Sequence, residues 1–165
     1  MTQDLNLYTM QTLFEQPVEP VDFIVEGLLA PGLYILGGSP KVGKSWLALQ
    51  LCLAVCTGTP FLGRATRQGE VLYLALEGGP QRLHSRALRL THVAPSGLYL
   101  CGQALPIGQG LEQQLERMLD EHPGIRLVIL DTLQKVRELS GEAYSYRDDY
   151  QIIGQLKQLA GRFQL

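Results

Sequence analysis

Two kinds of apolar pattern alternate along the chain. Leu33-Tyr34-Ile35-Leu36, Val71–Leu76, Leu98–Cys101 and Leu127–Leu130 are short continuous apolar runs, the mark of strands buried on both faces. Between them apolar residues return every three or four positions. That spacing predicts helices from about Lys44 to Thr57, Pro80 to Leu90 and Leu111 to His122. A last helix is predicted from about Asp148 to Gly161, with Ile152, Ile153, Leu156 and Leu159 on its apolar side. Strands alternating with helices predict an α/β fold in three layers, a parallel sheet between two layers of helices. Leu7, Met10 and Phe14 are spaced like one face of a short helix, and the breakers Pro17 and Pro20 follow. Residues 1–20 are therefore read as an N-terminal arm, packed on the domain or on a neighbouring subunit, and residues 21–165 as the domain. Gln134 to Arg147 is polar and has no apolar period, which predicts a loop.

Composition narrows the class. The 165 residues are 45% hydrophobic and 18% charged, so one globular domain is expected and disorder or a collagen-like chain is excluded. A net charge of -2 gives no general attraction to nucleic acid or to an anionic membrane. Cys52, Cys56 and Cys101 lack C-x-x-C spacing, which fits a reducing compartment and not a disulfide framework. Cys52 and Cys56 fall inside an apolar helical run and read as small core residues. The first residues carry no basic and apolar leader pattern. The most apolar stretch, Trp46 to Val55, is far shorter than the ~20 residues of a membrane span. A cytoplasmic protein without membrane attachment is expected.

The strongest chemical signal is Gly38-Ser39-Pro40-Lys41-Val42-Gly43-Lys44-Ser45, which matches G-x-x-x-x-G-K-[ST] in full. A polyphosphate needs several N–H donors around it, and glycine lets the backbone turn sharply and approach closely. The loop opens a helix, whose free N–H groups and dipole also favour an anion. Lys44 would reach the β- and γ-phosphates, the Ser45 hydroxyl would serve Mg²⁺, and the Trp46 N–H would approach a phosphate.

Two acids end predicted strands. Arg126-Leu127-Val128-Ile129-Leu130-Asp131-Thr132 places Asp131 at the carboxyl end of a strand, where open α/β sheets bind ligands. Beside a phosphate loop, an acid there supports Mg²⁺ through water. Glu77 ends Val71-Leu72-Tyr73-Leu74-Ala75-Leu76-Glu77-Gly78-Gly79. The residues alone leave two readings of Glu77 open: a carboxylate that polarises attacking water, or a helix N-cap or exposed turn acid before Pro80.

The set formed by Gly37–Ala48, Leu72–Glu77 and Val128–Thr132 resembles the RecA-like AAA-type ATPases of the RepA group, which includes plasmid- and phage-type replicative helicases. Val25–Gly32 and Asp148-Asp149-Tyr150 add to the likeness, which runs from about Asp22 to Gly161. The resemblance implies a RecA-like P-loop NTPase core that binds ATP and Mg²⁺. It gives Lys44 and Ser45 to phosphate and metal, Asp131 to the metal, and Glu77 the role of catalytic carboxylate. Lys44 would also stabilise the charge that develops during hydrolysis. It further implies a ring, usually hexameric, with single-stranded DNA as a partner. The family expects a sensor strand after the last helix, and the sequence stops at Arg162-Phe163-Gln164-Leu165, so a core incomplete at the C-terminus is expected. ATP hydrolysis is the leading reading; a non-hydrolysing assembly module and a small-molecule kinase are the alternatives. Arg82, Arg86 and Arg89 share one helical face, read as solvated or as a subunit or DNA contact. His84, His92 and His122 lack metal-ligand spacing.

Overall fold

The computed structural model describes residues 7–18, 20–137 and 146–165. Its helices are α1 (Met10–Glu15), α2 (Lys44–Thr57), α3 (Gly79–Leu90), α4 (Leu111–Glu121), α5 (Leu133–Arg137) and α6 (Tyr146–Phe163). Its strands are β1 (Glu70–Ala75), β2 (Leu98–Cys101) and β3 (Ile125–Asp131). They form one parallel sheet in the order β2-β1-β3. Val71 lies opposite Leu98 on one side and Leu127 on the other, and Ala75 lies opposite Asp131.

Burial on both faces holds for β1, whereas the edge strand β2 buries no residue fully and its Leu100 is 51% exposed. Val71, Tyr73 and Ala75 face Leu49, Cys52 and Val55 of α2, with Leu83, Ala87 and Leu90 of α3 packed at the side. Leu72 and Leu74 face Leu111, Leu115 and Leu119 of α4, Leu159 and Ala160 of α6, and Val136 of α5. A fully buried leucine stabilises by about 1.5–3 kcal/mol, and three of them from α4 pack on this face of the sheet. The result is the three-layer α/β architecture that the pattern predicts. Helix α2 begins at the predicted Lys44 and ends at Thr57. Gly58, at φ 68°, closes it by donating to the Ala54 carbonyl, a left-handed cap that suits glycine.

Two expectations need correction. Leu33–Leu36 is not a buried strand: Tyr34, Ile35 and Leu36 are 52%, 72% and 55% exposed. No ladder pairs this segment among the described residues. Its local bonds go elsewhere, with the Gly32 N–H on the Leu165 carbonyl at 2.5 Å and the Ala30 N–H on the Tyr34 hydroxyl at 3.1 Å. Apolar content makes a strand only where a neighbouring backbone supplies the ladder.

Of the arm, residues 7–18 and 20 are described. Helix α1 buries no residue, and Phe14 is 83% exposed. It is held locally by a capping box in which Thr9 and Thr12 exchange side-chain to backbone hydrogen bonds. Lastly, the region read as a loop from Gln134 begins as helix α5, because Val136 reaches the core and is 1% exposed. Arg147, where that loop was expected to end, lies within α6. Residues 138–145 of the loop lie outside the described residues.

The cysteines behave as the helical run implies. Cys52 and Cys56 are buried in the core. Burial, aided by the Glu70 charge, pushes the Cys56 thiol up to about 11, and burial raises Cys52 further. A thiol titration of the native chain at about pH 8 is expected to give one reactive thiol, Cys101, with the other two reacting after denaturation. Three fast native thiols would contradict this packing.

Candidate nucleotide-binding site

Residues Gly37–Gly43 run as exposed irregular chain into α2. Gly43 is the N-cap of that helix at φ 105°, a conformation that a β-carbon strains against. Its carbonyl takes the first helical bonds, from the N–H groups of Trp46 at 2.9 Å and Leu47 at 3.0 Å. The Lys44 ammonium folds back over the loop and donates to the carbonyls of Gly38 at 2.7 Å and Ser39 at 2.9 Å. Loop and lysine thus form one closed unit at the positive end of α2. Pro40, Lys41 and Val42 form its exposed tip, with Lys41 at φ 63°. Ser45 and Trp46 are half-buried in the first turn of α2.

Asp131 ends β3, and its carbonyl accepts from the Leu76 N–H at 2.8 Å. That bond fixes the ends of β1 and β3 side by side, with Glu77 one residue beyond it. Glu77 is exposed, and the N-cap of α3 is Gly78 at φ 94°, without a side-chain cap bond. The helix-cap reading of Glu77 is thereby removed.

Two contacts at this end of the sheet were missed in the sequence. The Tyr73 hydroxyl donates to Asp131 Oδ2 at 2.6 Å. Burial, followed by the bond to Asp131, raises the Tyr73 phenol well above its ordinary value and keeps it a donor. The alternation of β1 offered a signal, since Tyr73 lies two residues before Ala75, the partner of Asp131. The second contact is Arg86, whose guanidinium lies over the Trp46 ring, 5.8 Å from its centroid. Arg82 and Arg89 are exposed, whereas Arg86 is half-buried against the residue that follows Ser45. The arginine face is therefore split, with one member stacked on the base of the phosphate loop by a cation–π contact.

The donor set suits Mg²⁺. The Ser45 hydroxyl and the Asp131 carboxylate are hard oxygens, and Mg²⁺ takes few protein ligands and keeps waters and phosphate oxygens for the rest. No group of three or more His, Cys, Asp or Glu side chains with metal-binding geometry occurs among the described residues. The three histidines build no metal site there, and His122 instead ends α4 and packs on Tyr99 at 4.3 Å between ring centroids.

A family model described as AAA domain matches residues 4–165. The chain belongs to the AAA domain family. Its α/β core with three parallel strands is that of a RecA-like P-loop NTPase. The AAA domain is also 28% identical over 146 residues to the DNA repair protein RadA of Streptococcus pneumoniae, covering 87% of this chain and 30% of that protein. It is 34% identical over 91 residues to the DNA repair protein RadA of Helicobacter pylori, covering 54% of this chain and 18% of that protein. The chain thus spans under a third of the length of either relative. No helix among the described residues is long and apolar enough to cross a membrane.

Proposed function

We propose that this AAA domain binds ATP with Mg²⁺ and hydrolyses it, as the motor part of a protein acting in DNA repair, recombination or unwinding. The observation that carries this reading is the juxtaposition of Glu77 and Asp131 on adjoining strand ends, linked by the Leu76–Asp131 bond, in a chain whose phosphate loop opens α2. Lys44 exchanges its loop carbonyls for the β- and γ-phosphates, while the backbone N–H groups of the loop hold the remaining oxygens. Ser45 and Asp131 would hold the metal ion, which would supply charge neutralisation at the phosphates when bound. Glu77, exposed and free of capping duty, orients and polarises the attacking water. Lys44 then stabilises charge on the departing phosphoryl group.

The DNA context rests on two supports: the RadA repair proteins among the relatives, and the resemblance to replicative helicases of the RepA group. Assembly into a ring around single-stranded DNA follows from the same resemblance. The exposed apolar side chains of the arm, Leu7, Met10 and Phe14, suit a contact with a neighbouring subunit better than one within the chain.

The test is phosphate release from ATP with Mg²⁺, measured with and without single-stranded DNA. Turnover that DNA accelerates is expected. ATP binding without phosphate release in either condition would make the domain a nucleotide-binding assembly module. Transfer of labelled phosphate to an organic acceptor would make it a kinase.

A further inference from the structure

The hydrogen bond from Tyr73 to Asp131 has the geometry of a device rather than of incidental packing. Tyr73 lies opposite Ile129, and Ala75 lies opposite Asp131, so Tyr73 and Asp131 are diagonal neighbours on one face of the sheet. Diagonal neighbours stand roughly 7–8 Å apart, a gap that a long aromatic side chain spans. That face is the one covered by α2, the helix that the phosphate loop opens. Tyr73 is the largest of the fully buried side chains, at 1% exposure, and sits among Leu49, Cys52 and Val55. In such close packing the ring has little freedom to turn. Phenylalanine would fill the same space, so it is the carboxylate that calls for the hydroxyl.

We propose that Tyr73 is a positioning residue for the divalent-cation site. Its hydroxyl occupies Asp131 Oδ2 and fixes the carboxylate's rotamer, which leaves Oδ1 for the cation and its waters. The proposal rests on the reading of Asp131 as the metal-supporting acid. Groups that orient a metal's carboxylate typically change metal affinity by about 10–100-fold when lost.

The experiment is a Mg²⁺ titration of the binding of a fluorescently labelled ADP to wild type, Tyr73→Phe, Asp131→Asn and the double variant. In Tyr73→Phe, nucleotide affinity in EDTA is expected to stay within about twofold of wild type, whereas the Mg²⁺ concentration for half-maximal gain rises about tenfold. The double variant should then be no worse than Asp131→Asn alone. A purely structural role would lower the melting temperature without moving the Mg²⁺ midpoint. An unchanged midpoint in Tyr73→Phe, with a shifted one in Asp131→Asn, overturns the role of Tyr73 and leaves that of Asp131 standing. An unchanged midpoint in Asp131→Asn overturns the reading of Asp131 and the proposal with it. Additive shifts in the double variant also overturn it, because Tyr73 would then act by another route. Fluorine NMR of the wild-type chain labelled with fluorotyrosine needs no substitution and covers the case of a variant that does not fold. One buried resonance should move when Mg²⁺ is added at saturating nucleotide, and a spectrum that does not respond counts against the proposal.

Discussion

Lys44→Ala is expected to abolish ATP binding, weakening it by at least about a hundredfold, or ~3 kcal/mol. The ammonium lies within hydrogen-bond reach of the Gly38 and Ser39 carbonyls of the phosphate loop. Removing it takes away the charge-assisted bonds to the phosphates and leaves the backbone N–H groups as the remaining donors. The fold should survive, because Lys44 contributes no buried side chain and alanine is a good helix former. Trp46 is the sole tryptophan of the sequence and stands two residues from Lys44, so its fluorescence reports the titration directly. Wild-type affinity in Lys44→Ala, with an unaltered melting temperature, would remove nucleotide binding from the functions of this loop.

Glu77→Gln is expected to separate binding from chemistry. Nucleotide affinity should stay within about twofold, and phosphate release should fall by about 10²–10⁴, the usual contribution of a positioned general base. Glutamine keeps the shape of the side chain and loses the charge and the acceptor strength that polarise water. Stability should hardly change, because Glu77 is exposed and Gly78 caps α3 in its place. Single-turnover phosphate release measured beside equilibrium binding makes the distinction. Equal turnover in Glu77→Gln and wild type would reduce Glu77 to a turn residue.

Much of this fold was legible in the pattern, and the exceptions share a cause. β1, β2 and β3 were found because each is apolar on both faces and flanked by helical spacing, signals that lie within the segment itself. Leu33–Leu36 carries the same signal and is exposed instead, because its fate depends on a backbone partner elsewhere in the chain. Helix α5 was missed for the opposite reason. Five residues carry too little period to register, although Val136 is buried and Leu133 packs on the same cluster. At the site, the phosphate loop was legible as a motif because it is written in contiguous residues. Asp131 and Glu77 were legible because strand ends can be placed once strands are placed. The contacts of Tyr73 and Arg86 were not, since they depend on a diagonal across the sheet and on the packing of α3 beside α2. Local chemistry is readable in sequence, whereas the partners that aim it are set by tertiary contacts.

The self-closed loop has a consequence for what the site selects. Lys44 holds two carbonyl oxygens, at 2.7 and 2.9 Å, so an arriving anion would compete with them for the ammonium. A weakly charged ligand gains little from that exchange, whereas a di- or triphosphate offers several oxyanions at once and forms the stronger bonds. On the proposed function, the loop would act as a threshold on ligand charge before any contact with a base is made. Discrimination at this site would then begin with phosphate number.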